Sequence, residues 1–492
     1  MPGDRHGNFG SAWFLGADGL KNPIQYIALS GKRRFMSEEK LDPKEIVERV
    51  KSSGSKKVKL AITDIDGVLR GKYIHTDKFL SAVDGGFGFC NVVFGWDCAD
   101  VCYDNVTYTG WHTGYPDAEA RIDLSTYRTV PWDDNVPFFL ADFQDAEGNG
   151  LEVCPRQVLK RVLAKAEKMG FSPMCSLEFE FFNFRETPDS AHAKGFRNLD
   201  PLTPGMFGYS LLRASQNSDY FAALMDELLA FGVPLEGIHT ETGPGVFEAA
   251  IMYSGALEAA DRAVLFKAAT KEIAGEFGII PTFMAKISPD LPGCSGHVHQ
   301  SLWDLEHKTN VFYEEGADRR MSKTFRQYLA GQMKMAPALL PCFAPTINSY
   351  KRLVEGMWAP TMVTWGSDNR TSSFRVLPGS SKSTRLETRV PGADVNPYLA
   401  LAAAIGAGLY GIEKGLDIES DPVSGNAYEV KDAVRLPGNL YDAAQAMAQS
   451  ELANEVLGEK FVAHYTQSRI WEWRQFQTAV TDWETQRYFE II

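Results

Sequence analysis

Three short segments place charged or hydrogen-bonding side chains at every second position, and a fourth flanks a turn with two acids; that spacing predicts strands with one polar face. In Leu177 to Phe184, Glu178 and Glu180 share a face while Leu177, Phe179 and Phe181 take the other. In Gly296 to Leu302, His297, His299 and Ser301 share a face. In Thr384 to Val390, Arg385, Glu387 and Arg389 oppose Thr384, Leu386, Thr388 and Val390. In Ile238 to Ile251, Glu241 and Glu248 flank the turn Gly243-Pro244-Gly245. A fold that satisfies all four has a sheet with a packed side and a side rich in acids.

An exposed amphipathic strand explains any one of these segments; four in one stretch of chain point further. Adjacent carboxylates repel unless a cation lies between them or solvent screens them. Five acids and a histidine suit hard divalent cations such as Mg²⁺ or Mn²⁺ better than zinc. Arginines bind phosphate and carboxylate through a planar fork. Together these residues point to metal-assisted phosphoryl transfer. No Gly-x-x-x-x-Gly-Lys loop occurs, so metals and side chains are expected to hold the nucleotide.

A chain of 492 residues predicts two or three domains. Residues 1–43 lack periodicity and read as an appendage. Asp42-Pro43 opens a helix through Val50, and Val58 to Thr63 and Val68 to Ile74 read as a hairpin around Asp64-Ile65-Asp66-Gly67. With strand-like pieces at Thr129 to Trp132 and Pro137 to Asp142, they predict a small β domain over 44–145. Beyond it, 146–492 reads as one large α/β domain. A helix is expected from Pro155 toward Gly170. Another is expected over Phe221 to Ala230, capped by Ser218 or Asp219, with Phe221, Leu224, Met225, Leu228 and Leu229 as its stripe. Pro397 to Ile412 reads as a buried core helix, too short for a membrane span.

The net charge is -13, from 50 Lys plus Arg against 63 Asp plus Glu, which argues against a nucleic-acid surface. The 7 cysteines are scattered and odd in number, as in reduced intracellular proteins. No secretory signal or membrane partner is expected, and the predicted compartment is the cytoplasm.

The motifs Glu178-Phe-Glu180-Phe, Glu241-Thr-Gly-Pro-Gly-Val-Phe-Glu248, His297-Val-His299-Gln-Ser301-Leu, Asn348-Ser-Tyr-Lys351-Arg352-Leu, Asn369-Arg370, Arg385-Leu-Glu387-Thr-Arg389 and Asn396-Pro397-Tyr398-Leu399 resemble, in order, those of the glutamine synthetase superfamily. The resemblance runs over roughly residues 44 to 492. It implies an α+β fold, an N-terminal β-grasp domain on a large α/β catalytic domain. It also implies two metal sites holding Mg²⁺ or Mn²⁺, one from Glu180, Glu241 and Glu248 and one from Glu178, His297 and Glu387. Arg352 and Arg389, with the Gly293 backbone, match residues that grip glutamate. Arg370, Arg375 and Arg385 match those that neutralise phosphate. His299, Ser301 and Lys382 fall at ATP-side positions. Asp117 matches an acid that the small domain lends to a neighbouring subunit. The implied assembly is a homo-oligomeric dodecamer of two stacked hexameric rings, and the implied reaction phosphorylates glutamate with ATP and then forms an amide.

The chain departs from the family where the nitrogen nucleophile is handled. Trp358 stands where an acid closes over the site, Cys90 where a small-domain aspartate helps bind ammonium, and Val246 where a Gln is usual. An ammonium ion needs anionic or carbonyl partners, whereas Trp offers an apolar face and a π system. Glu355 is the acid that could stand in. The phrases Trp358-Ala-Pro-Thr, Val363-Thr-Trp-Gly, Asp368-Asn-Arg and Val480-Thr-Asp-Trp-Glu resemble the branch of γ-glutamyl polyamine and ethanolamine ligases, so a small organic amine is the expected acceptor. Two other readings stand beside it. One is an authentic glutamine synthetase that uses ammonia. The other is a ring protein without catalysis, against which the complete set of acids and arginines weighs. His239 reads equally as a supporting residue or a core histidine. Tyr441 reads as a solvent-side tyrosine, and Cys98 and Cys102 as a pair on one helix face.

Overall fold

The computed structural model describes residues 42–492; the expected appendage, apart from Asp42 and Pro43, lies outside them. The first helix, Pro43–Ser52, starts where proline and an N-cap predict. The Asp42 carboxylate accepts the Lys44 N–H at 2.8 Å. Strands β1 (Lys57–Thr63) and β2 (Leu69–His75) form the expected antiparallel hairpin. With β3 (Phe87–Cys90), β4 (Asp117–Ile122), β5 (Arg128–Val130) and β6 (Val136–Gln144) they make a six-stranded sheet. Its order is β2-β1-β6-β4-β3, with β5 on β6 and the central β1–β6 pair parallel.

The second sheet has nine strands. They are β7 (Phe171–Phe184), β8 (Leu235–Thr240), β9 (Val246–Ile251), β10 (Ser254–Gly255), β11 (Ile280–Thr282), β12 (Gly296–Asp304), β13 (Trp365–Ser367), β14 (Phe374–Leu377) and β15 (Arg385–Thr388). The order is β13-β14-β15-β12-β7-β9-β8, with β10 and β11 on β7. This is the expected α+β arrangement, a smaller curled sheet followed by a larger mixed α/β layer. Both sheets belong to one compact unit over 42–492, and the boundary near 145 stands as our proposal.

One face of β7 carries Phe179 and Phe181, which pack on Phe266 and Phe283. Behind them lies the helix Pro397–Glu413, buried almost throughout, as its apolar composition predicts. It crosses the helix Lys323–Leu339 at backbone distance. A Cβ on Gly331 would lie 2.1 Å from the Ala407 carbonyl, so the crossing admits only glycine there. Among the described residues no helix is long and apolar enough to cross a membrane.

A buried cation joins the two sheets. Arg156, on the helix Pro155–Lys168, bonds Asp142 of β6 at 2.8 Å, Asp123 at 2.9 Å and both oxygens of Asp261 at 2.8 Å. The carboxylates outweigh the burial of this guanidinium and hold it protonated well above its ordinary range. Arg469 repeats the device, pairing with Asp66 of the hairpin turn at 2.7 Å.

Three local expectations differ from the structure. The helix Ser218–Ala230 follows directly on Leu211–Gln216, so Asn217 occupies the junction and makes no side-chain cap. Its buried residues are Tyr220, Leu224 and Leu228, whereas Leu229 is exposed. Tyr220 joins the buried face by reaching inward to donate to Asn183 at 2.9 Å. Cys98 and Cys102 lie on a turn closed by the Trp96–Cys102 bridge and not on a helix.

Candidate active site

The polar faces of β7, β8, β9, β12, β14 and β15 converge through register. Glu178 faces His297 across β7 and β12, and Glu387 faces His299 across β15 and β12. Arg375 of β14 also faces Glu387, while Glu248 of β9 lies between Glu180 of β7 and His239 of β8. Facing pairs on adjacent strands have Cβ atoms about 4.5–5.5 Å apart, which brings these heads together.

Glu178, His297 and Glu387 each offer one donor atom within 4.8 Å of the others. His297 Nδ1 lies 2.8 Å from Glu178 Oε1 and 3.4 Å from Glu387 Oε1. His297 Nε2 is buried without a hydrogen-bond partner. Burial, then Arg389, pushes the imidazole below its usual range, toward the neutral form that ligates metals. Burial opposes ionisation of Glu178, but His299 and His297 outweigh it and hold the carboxyl well below its ordinary value. Burial likewise opposes ionisation of Glu387, yet His297 and Arg389 pull it to about 2. Two carboxylates and an imidazole whose donor atoms meet in one pocket fit a divalent cation.

The second cluster differs from the expected trio. His239, Glu241 and Glu248 bring their donor atoms within 4.8 Å, with His239 Nε2 3.4 Å from Glu248 Oε1. Glu180 stands opposite Glu248 across β7 and β9, and its Oε2 accepts the Ser295 N–H at 2.7 Å. Burial raises Glu180 and lifts Glu248 to about 6. A cluster of acids whose pKa values rise is short of positive charge, which a bound cation would supply. His239 had a legible signal in sequence, since it stands two positions before Glu241, which follows directly on the end of β8. Its partner Glu248 lies beyond the turn, and that pairing decides its role. Tyr209, stacked on His239 at 4.4 Å, was not anticipated.

The arginines occupy two levels. Arg375 donates to Glu387 at 2.8 Å and to Asp368 at 3.0 Å. Arg389 donates to Glu387 and, at 3.0 Å, to the Arg370 carbonyl. Arg385 Nε lies 3.3 Å from His299 Nδ1. Arg352 is buried and donates to the carbonyls of Val390 at 2.8 Å and Arg389 at 3.2 Å. Gly293 packs under it, where a Cβ would lie 2.6 Å from Arg352 Cγ. Ser301 accepts from Trp303 at 3.0 Å, and Arg370 and Lys382 are exposed. Asp117 is exposed on β4, paired in register with Cys90.

Trp358 lies in the loop after the helix Ser349–Arg352. Its backbone is left-handed at φ 60 and its side chain 58% exposed. Non-glycine residues seldom adopt that conformation without a reason in the surrounding loop. Glu355, the acid that could replace the missing one, is ion-paired with Arg435 at 3.2 Å.

A profile of the glutamine synthetase catalytic domain matches residues 152–488. The type-1 glutamine synthetase 2 of Dictyostelium discoideum is 53% identical over 450 residues, 91% of this chain and 86% of that one. A glutamate–isopropylamine ligase from a Pseudomonas species is 40% identical over 438 residues, 88% of this chain and 95% of its own. A solved structure of GmaS in complex with ADP superposes with a TM-score of 0.79 at 29% identity, covering 90% of this chain and 99% of that one.

Proposed function

This chain belongs to the glutamine synthetase family, and we propose that it joins the γ-carboxylate of glutamate to an organic amine, using ATP, through a γ-glutamyl phosphate. The observation that carries the amine reading is the pair Trp358 and Glu355. The first exposes an apolar face in the loop after Arg352, which this reading takes as the acceptor loop. The second, which could have served as the proton acceptor, is engaged by Arg435. The isopropylamine ligase among the relatives supports the same direction.

In this reading Arg352 and Arg389 hold the glutamate carboxylates. Arg389 would exchange Glu387 for substrate, while Arg352 keeps its two carbonyls and presents its remaining N–H groups. The missing side chain of Gly293 leaves Arg352 room. Arg370, Arg375 and Arg385 neutralise charge on the transferred phosphoryl group, with Arg375 aimed by Asp368 and Glu387. His299, Ser301 and Lys382 serve the nucleotide. Glu178, His297 and Glu387 would hold one Mg²⁺ or Mn²⁺ on the phosphate side. Glu241 and Glu248, with His239 and Glu180, would hold another on the glutamate side. Bound there, the ions would offset the phosphate and carboxylate charges that these arginines alone leave unbalanced. Asp117 would act in a neighbour's site within a dodecamer of two stacked hexameric rings.

The second reading, synthesis of glutamine from ammonia, is favoured by the Dictyostelium relative. Phosphate release with ATP, Mg²⁺, glutamate and either ammonium or a panel of amines separates the two. A kcat/KM for ammonia above that of every amine overturns the first.

A further inference from the structure

Arg352 ends a helix of a single turn, Ser349–Arg352, which by itself has little reason to stay in place. Two sets of bonds hold it. On one side Asn348 exchanges two bonds with the backbone of Lys286, at 2.9 and 2.8 Å. On the other, Asp394 Oδ2 accepts from Thr346 Oγ1 at 2.8 Å and from Ser349 Oγ at 2.6 Å. The Ser349 hydroxyl in turn caps the Thr346 N–H at 3.0 Å.

The other oxygen of Asp394 is buried without a hydrogen-bond partner. It packs on Gly392, where a Cβ would lie 2.5 Å from Oδ1. Lys267, from the helix Ala256–Glu276, comes up beside the next residue of the chain. Its ammonium donates to the carbonyl of Val395, the next residue, at 3.1 Å, and lies over the rings of Phe179 and Phe283 at 5.5 and 5.6 Å. Burial pushes Lys267 down to about 7, and Asp394 is the main charge that opposes the fall. Asp394 also favours the protonated form of Arg352 against its burial.

We propose that Asp394 is a positioning residue for glutamate recognition: through Thr346 and Ser349 it clamps the turn that carries Arg352. The proposal rests on the reading that Arg352 grips a glutamate carboxylate. Asparagine at 394 keeps the shape but gives up the charge that strengthens both hydroxyl bonds. Hydrogen bonds to charged groups contribute about 1.5–3 kcal/mol, or roughly 10- to 100-fold in an equilibrium constant.

The test is steady-state kinetics in which glutamate, ATP and the best acceptor of the amine panel are varied in turn. Asp394→Asn is expected to raise the KM for glutamate about 10-fold, while kcat and the KM for ATP stay within about twofold. The double variant Thr346→Val/Ser349→Ala removes the donors instead and is expected to copy that shift, which guards against misfolding of the first. Equal losses in every constant mean a structural role only and overturn the proposal. Arg352→Lys is the control. If it raises the KM for glutamate and both other variants leave it unchanged, the clamp is wrong and the proposed function stands. If Arg352→Lys also leaves it unchanged, the proposed function fails with the clamp.

Discussion

Glu178 and His297 are 119 residues apart in sequence, yet register places them opposite one another on β7 and β12, with Oε1 2.8 Å from Nδ1. Glu387 completes the triad from β15, two strands from β7, and its carboxylate is fully buried between Arg375 and Arg389. A carboxylate so enclosed has no solvent to share its charge with, so its removal leaves two arginines facing each other.

Glu387→Ala is therefore expected to lower kcat by about 10²-fold or more, the scale seen when a preorganised charge is deleted from a reaction centre. Excess chelator should abolish turnover, and Mg²⁺ or Mn²⁺ should restore it in the wild type but not in the variant. Wild-type turnover by Glu387→Ala, or turnover in chelator, rules out the two-metal arrangement.

Trp358→Ala is expected to cut the preference for amine over ammonia while leaving the KM values for glutamate and ATP nearly unchanged. Each buried methylene contributes about 0.8 kcal/mol, or roughly fourfold. Trp358→Glu should move the ratio toward ammonia. Competition between an alkylamine and ammonium, read by mass of the products, checks both. An unchanged ratio in Trp358→Ala removes this residue from the acceptor pocket.

Asp117 is exposed on β4 of the small sheet and belongs to neither triad of candidate metal ligands among the described residues. If it completes a neighbour's site, mixed rings of inactive Asp117→Ala and inactive Glu387→Ala chains should regain part of the wild-type activity. Mixing that restores nothing, or a fully active monomer in light scattering, counts against a shared site.

The pH dependence of stability should carry the signature of Lys267. Its folded pKa, about 7, lies below the ordinary lysine value of 10.5. Between those limits the unfolded chain binds the proton and the folded chain does not, so this group's contribution grows as pH rises and is lost as pH falls through 7. It amounts to about 1.4 kcal/mol per pH unit in that window. Lys267→Met should show a flatter stability curve from pH 7 to 10 by urea titration. Parallel curves for variant and wild type refute the assignment.

Much of the site was legible because strand periodicity is short. Alternation alone placed Glu178 with Glu180, His297 with His299, and Arg385 with Glu387, and the turn at Gly243-Pro244-Gly245 placed Glu241 near Glu248. Register between distant strands was not legible, since it depends on the packing of the whole sheet. For that reason the sequence leaves His239 undecided, and it is the pairing of β8 with β9 that sets it beside Glu248. The helix at Ser218 keeps most of its apolar stripe in the core, but Tyr220 joins the buried face through its bond to Asn183 while Leu229 faces out. The clamp at Asp394 left no periodic trace. Its partners lie on a loop and a single helical turn.

Arg156 sets a limit on how the molecule can be divided. The guanidinium is 3% exposed, and its carboxylate partners come from both sheets' territories, Asp123 and Asp142 on one side and Asp261 on the other. A fragment ending near residue 145 would keep two acids and lose their cation. The complementary fragment would keep the cation with one acid, in a cavity open where β6 had been. Stranding one member of a buried ion pair costs about 3–5 kcal/mol, a large share of what holds a domain folded. The small sheet of this chain is thus not a detachable module, and any recombination across residue 145 must carry Arg156 and its acids together.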